Sequence, residues 1–148
     1  MENLIAEETI EIEAPVSVIW ELLTDPDKIK KWFPGKMDFK SEGILEMGNE
    51  MYWKNSNGKT FAKGTVIEIE PERYIRISMH FADWDKEADT DALTHIYSIF
   101  QKNKKIRLTH TYGDFAKVPG GKKLYEEYIA TAAPGNTALK TIKEMAEE

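Results

Sequence analysis

From Lys36 to Gly113 the chain repeats with a period of two. Met37 and Phe39 alternate with charged residues, and Leu45, Met47, Met51 and Trp53 share one parity. Ile75, Ile77, Met79 and Phe81 alternate with Tyr74, Arg76, Ser78 and His80; Ile106, Leu108, His110 and Tyr112 alternate with Arg107, Thr109 and Thr111. Successive side chains of a strand point to opposite faces, so this period means strands with one face buried. "NSNGK" at 55–59 and "QKNKK" at 101–105 are turn sequences, and Pro71 closes the strand of Val66, Ile67 and Ile69. Ile96, Ser98 and Phe100 are read as the inward set of a sixth strand, and Ile10 and Ile12, against Glu11 and Glu13, add one at the start. About seven strands joined by short turns predict an antiparallel sheet with one face to cover.

The segments flanking this run have helical spacing. Val18, Ile19, Leu22 and Leu23 recur every three or four residues beside Trp20. Pro15 suits the first turn of that helix. Asp25-Pro26 stops it and starts a second, short helix over roughly Pro26 to Lys31, with Asp25 as cap. Near the end, Leu124, Tyr125, Tyr128, Ile129 and Ala132 form one stripe, continued by Leu139, Ile142 and Met145. Pro134-Gly135 is expected to kink or break this long helix. The order is strand, two helices, strands, long helix: an α+β fold in which the long C-terminal helix is expected to cover the sheet. With no repeat, low-complexity tract or linker, residues 1–148 are read as one domain.

Composition narrows the function. The chain has no cysteine, which excludes disulfides, thiolate metal sites and a cysteine nucleophile, and fits a reducing cytoplasm. A net charge of −6 argues against nucleic acid as the main partner. No apolar stretch approaches ~20 residues, so no membrane span is expected.

The stretches "IEIEAPVSVIWELLTDPDKIKKWFP", "GTVIEIEPERYIRIS" and "IRLTHTYGDF" occur in the order of a known pattern. They resemble the START-like (SRPBCC, Bet v 1-like) superfamily, and within it the family of the C-terminal domain of the heat-shock-protein-90 ATPase activator. The resemblance implies the helix-grip fold, a curved sheet around a C-terminal helix. It also implies either binding of hydrophobic small molecules or a chaperone partner. This chain departs from the pattern at "PGGKKLYEEYIATAAPGN", where tyrosines stand in place of a Gly-Trp pair. The eukaryotic activator grips its chaperone with a further domain, for which no room is expected in a chain read as one domain.

The candidate ligand-binding residues follow from parity and from the helix-grip resemblance. They are Trp32 and Phe33 at the pocket entrance, then Met37, Phe39, Met51, Trp53, Met79, Phe81, Phe100, His110 and Tyr112 on the inner face. Ile75 and Leu108 belong to the same set, and Tyr128 and Ala132 face it from the helix. Methionines and aromatic rings suit adaptable apolar recognition, and His110 and Tyr112 are the polar anchors. His80 and His95 fall on the other parity and are expected at the surface. Tyr97 and Ile99, on the presumed outer face, suggest a homodimer contact. Glu68 interrupts an apolar strand and is expected to face solvent beyond a bulge. "ADWDKEADTDAL" at 82–93 fails as a calcium loop, with Ala88 where glycine is needed and Thr94 where glutamate is needed. It reads as a solvated acidic loop, with Trp84 either a lid or packed on a strand. Three scattered histidines give no metal spacing, and no catalytic or cofactor-binding signature is present. Three readings remain: a cytoplasmic binder of a hydrophobic or aromatic small molecule, a chaperone-linked module, and a polyketide cyclase or aromatase-like enzyme using His110 and Tyr112.

Overall fold

The computed structural model describes residues 3–33, 36–40, 43–82, 92–103, 105–132 and 137–148. Seven strands form one antiparallel sheet: β1 (Ala6–Ile12), β2 (Lys36–Phe39), β3 (Glu50–Lys54), β4 (Thr60–Glu70), β5 (Tyr74–Phe81), β6 (Thr94–Lys102) and β7 (Lys105–Gly113). Their order is β1-β7-β6-β5-β4-β3-β2, so hairpins account for most of the sheet and the first strand joins the last. Two helices follow β1, α1 (Val16–Thr24) and α2 (Pro26–Trp32), and two follow β7, α3 (Gly121–Ala132) and α4 (Thr137–Ala146). This is the α+β helix-grip expected from the sequence, with the sheet curled into a half-barrel.

The α1–α2 corner is built from local chemistry. Asp25 caps α2, its Oδ1 accepting from the Asp27 amide at 3.0 Å, and Pro26 stands in the first turn. Pro15 is the residue before α1 rather than inside it, and its carbonyl accepts the first helical bond from Val18 at 3.0 Å. The Trp32 indole Nε1 donates to the Leu22 carbonyl at 2.7 Å, which ties the end of α2 to α1. The stretch is therefore part of the body of the fold, with Trp32 buried and Trp20 partly so.

Cover of the sheet is shared among four helices instead of resting on one long one. On α4 the stripe Ala138, Leu139, Ile142 and Ala146 is buried against β1, α1 and α2. Its end is pinned to β1: Lys143 Nζ donates to the Glu11 carbonyl at 2.9 Å, and Glu147 accepts from the Glu13 amide at 2.9 Å. On α3, by contrast, Leu124, Tyr125 and Tyr128 are only half-buried and Ile129 is exposed. A 3-10 turn over Phe115–Lys117 carries the buried Phe115, on which Tyr125 packs edge-on at 5.7 Å. The expected break at Pro134-Gly135, the Ala132 side chain and most of the 82–93 loop with Trp84 lie outside what is described.

Two strand readings change. The run Leu45 to Trp53 is a strand only from Glu50 onward; Leu45 is buried in the preceding turn and Met47 is exposed. The second change is in β6. His95 and Tyr97 face the core, whereas Ile96 and Ser98 are half-buried and Phe100 is 60% exposed. In the β6–β7 pairing Lys102 faces Lys105, so an even residue of one strand always faces an odd residue of the other. Directly paired residues share a face of the sheet. With Leu108, His110 and Tyr112 inward on β7, their partners Ile99, Tyr97 and His95 are inward as well. His95 is thus a core residue, and Tyr97 cannot supply an outer dimer contact. Glu68 does face out beyond a register shift between Val66 and Glu68, where it pairs with Arg76 at 3.3 Å and accepts from the Tyr74 hydroxyl at 3.0 Å.

Candidate functional site

The concave face of the sheet and the α1–α2 corner enclose a narrow apolar cleft. Leu23, Ile29, Trp32 and Phe33 form its helical wall. Met37 of β2, Met51 and Trp53 of β3, Ile77 of β5, and His95 and Tyr97 of β6 form its sheet wall. Its free volume is about 20 Å³. That is room for about one water, far below the few hundred Å³ of a typical ligand pocket. Phe33 is the half-buried member at the rim, its ring 5.9 Å from Trp32, 6.0 Å from Trp53 and 6.4 Å from His95. No lining residue is an acid, a lysine or an arginine.

Trp53 is held by an unusual approach to β4. A Cβ added at Gly64 would come within 2.5 Å of two carbons of the indole ring, so only glycine lets the indole lie there. The ring is 4% exposed, and among the described residues its Nε1 has no hydrogen-bond partner. A buried tryptophan N–H ordinarily finds one.

Beside the cleft, β6 and β7 bring four polar rings together. His95 stacks on its cross-strand partner Tyr112 at 3.8 Å, and Tyr97 stacks on its partner His110 at 4.5 Å. Across the diagonal, His95 Nδ1 and His110 Nε2 share a buried hydrogen bond of 2.9 Å. Burial holds both imidazoles neutral: His95 lies well below its ordinary pKa, with the nearby His110 adding to the shift, and His110 falls to about 4. In such a neutral pair one ring donates and the other accepts. The pair then has one remaining N–H and one remaining lone pair, whichever tautomers are present. Burial also pushes the hydroxyls of Tyr97 and Tyr112 up, so both stay protonated. Tyr128 of α3 packs edge-on against Tyr112 at 4.9 Å; burial and Glu8 raise it to about 12. Among the described residues no group of three or more histidines and acids is placed to hold a metal ion.

The sequence-derived candidates therefore separate. Trp32, Phe33, Met37, Met51 and Trp53 meet in the cleft; His110, Tyr112 and Tyr128 meet in the adjoining polar array. Met79 is buried in β5 away from the cleft lining. Phe81 stacks on Phe61 at 6.3 Å, near the far end of β5. Phe39 lines a different, open groove of about 570 Å³ with Asp25, Asp27 and Ile44, and Lys30 lies 5.8 Å over its ring. Phe100 stands on the outer face beside Lys105 and Arg107 and takes no part in the cleft. Parity misplaced His95 and Tyr97, while Ile77 and Glu8, both on the inward parity of their strands, were left out of the candidate set; Glu8 is half-buried opposite His110. Starting β6 three residues earlier, at Leu93, shows apolar residues on both parities, Leu93, Tyr97 and Ile99 against Ile96 and Phe100, so its core face was open in the sequence.

Solved structures share this architecture. The Aha1 dimer from Colwellia psychrerythraea matches with a TM-score of 0.67 at 15% identity, covering 97% of this chain and 96% of that one. Protein NE0264 from Nitrosomonas europaea matches with a TM-score of 0.68 at 22% identity, covering 98% and 96%. DynU16, a protein of the dynemicin biosynthetic locus, matches with a TM-score of 0.62 at 18% identity, over 98% of this chain and 50% of its own. At these identities the likeness is one of fold. Among curated protein sequences none matches significantly. The family model described as "Activator of Hsp90 ATPase homolog 1-like protein" matches residues 13–147. With nearly the whole chain matched, the protein belongs to the Activator of Hsp90 ATPase homolog 1-like family, within the START-like fold.

Proposed function

We propose that this chain binds a hydrophobic or aromatic small molecule in the cleft between α2 and the concave face of the sheet. One observation carries the reading: a continuous lining of aromatic rings and two methionines, free of charged side chains, closed at its rim by a half-buried phenylalanine. Ligand sites are built mainly of apolar and aromatic groups with a few placed polar ones. The cleft is packed as it stands, so binding requires its lining to part. Met37 and Met51 are the residue type that reshapes at least cost, and Phe33 is the ring with least to displace. Native mass spectrometry and thermal unfolding against a panel of lipids, polyketides and small aromatic compounds test this. A ligand present at about 100 times its Kd stabilises the fold by about 2.7 kcal/mol. A panel in which nothing binds and nothing raises the melting temperature refutes the reading.

A second reading, a chaperone-linked interaction module, is favoured by the description of the family and by a structural neighbour solved as an Aha1 dimer. It predicts stimulation of a purified cognate chaperone's ATPase and co-purification with it. Neither effect at stoichiometric excess would remove it.

A further inference from the structure

Trp53 presents a donor with nothing to donate to. Its Nε1 is buried and, among the described residues, unpartnered, on a ring that lines the cleft. A buried donor left unpaired bears its full desolvation penalty, which a matching acceptor would relieve. The ring has little freedom to relieve this, because its Cη2 and Cζ3 atoms occupy the place where a side chain on Gly64 of β4 would stand. The rest of the lining constrains what an acceptor can be attached to. No lysine or arginine stands there to neutralise an anion, and no acid to neutralise a cation. Burying an unpaired charge in such a place is prohibitive, so the occupant is uncharged. Its shape is set by Phe33, whose ring stands within 6.4 Å of the Trp32, Trp53 and His95 rings, tilted to the two indoles and near-perpendicular to the imidazole. Turning that ring outward frees a space for one planar ring among three others.

Resting on the small-molecule reading above, we infer that the cleft selects an uncharged planar ring bearing a hydrogen-bond acceptor oxygen. The ring takes the place of Phe33, and the oxygen accepts from the Trp53 indole N–H. Aromatic hydrocarbons of the same shape leave that donor unpaired and bind more weakly.

The probes are 1-indanone, indane and indane-1-carboxylate, which share a ring system and differ in acceptor and charge. Each is titrated into the wild-type protein and into Phe33→Ala, with affinities from calorimetry. Indole N–H resonances are followed by NMR, Trp53 being assigned as the signal lost in Trp53→Phe. One satisfied hydrogen bond predicts a preference of about tenfold for 1-indanone over indane. The Trp53 indole proton should move downfield with the ketone and not with the hydrocarbon. Phe33→Ala should tighten binding of both neutral rings, the carboxylate should bind weakest, and Trp53→Phe should erase the ketone preference. Where Phe33→Ala does not fold, Phe33→Leu and the wild-type titration carry the comparison. Equal affinity for ketone and hydrocarbon, or a preference that survives Trp53→Phe, overturns the inference and leaves the small-molecule reading standing. Failure of all three probes, together with a silent panel, overturns both.

Discussion

Lowering the pH from 8 to 5 will cost the fold about 2 kcal/mol through His110 alone. The imidazole is 5% exposed, stacked on Tyr97 and hydrogen-bonded edge to edge with His95, and burial brings its pKa to about 4, against 6.5 for an unperturbed histidine. The groups around it are His95, Tyr97 and Tyr112; Glu8, opposite it across the β1–β7 pairing, acts on Tyr128. The folded pKa is lowered, so the folded state binds fewer protons than the unfolded chain in the window between. Above pH 6.5 both states are neutral and the stability is fully present. As pH falls through that value the unfolded chain takes up its proton first, and stability is lost until about pH 4. At 1.36 kcal/mol per unit, the loss reaches about 2 kcal/mol at pH 5 and about 3 kcal/mol when complete. His95, shifted the same way, adds to it. The lowered carboxylates Asp38, Glu50 and Glu147 contribute stability that is present above their ordinary pKa near 4 and lost below it, outside this window. Urea unfolding followed by tryptophan fluorescence at pH 8, 7, 6 and 5 measures the effect. With a slope of about 2 kcal/mol per molar urea, the midpoint should fall by about 1 M. The double variant His95→Gln/His110→Gln should lose most of this dependence. A midpoint that stays constant from pH 8 to 5, or a slope unchanged in the double variant, would refute a buried neutral pair.

Three further outcomes follow from packing. Gly64→Ala drives a methyl group into the Trp53 indole and should destabilise by about 1–3 kcal/mol, with a changed near-ultraviolet circular dichroism signal from the displaced ring. Ile142→Ala empties a fully buried site where α4 meets β1, and chemical denaturation should show a loss of about 2–5 kcal/mol. Phe100→Ser should leave stability within about 0.5 kcal/mol and binding of any cleft ligand unchanged, because Phe100 lies on the outer face; a loss of binding would return it to the site.

The helix boundaries were the most legible part of the chain. Asp25-Pro26 specifies a stop and a start by local chemistry alone, since cap and proline act on their immediate neighbours. The bulge that turns Glu68 outward was legible for a similar reason: a lone charge among apolar residues cannot stay on a core face without a partner. The cleft was half legible. Met37, Met51 and Trp53 declared themselves through alternation. Phe39 shares Met37's parity yet lines another groove, because it lies at the far end of a four-residue edge strand beside α2.

By itself, then, the sequence determined an antiparallel sheet, two hinged helices after the first strand, a helical C-terminal segment and the family to which they belong. Those features arise from period, caps and turns, which act over a few residues. Tertiary structure decided which face of β6 is the core face. That strand has apolar residues on both parities, and only the register with β7 breaks the tie, placing His95 beside His110 and sending Phe100 to solvent. It also decided that Trp53 lies on Gly64 with an unanswered N–H, and that the cleft holds room for about one water. Such facts depend on how side chains distant in sequence fill a shared volume, and no pattern within one strand encodes them.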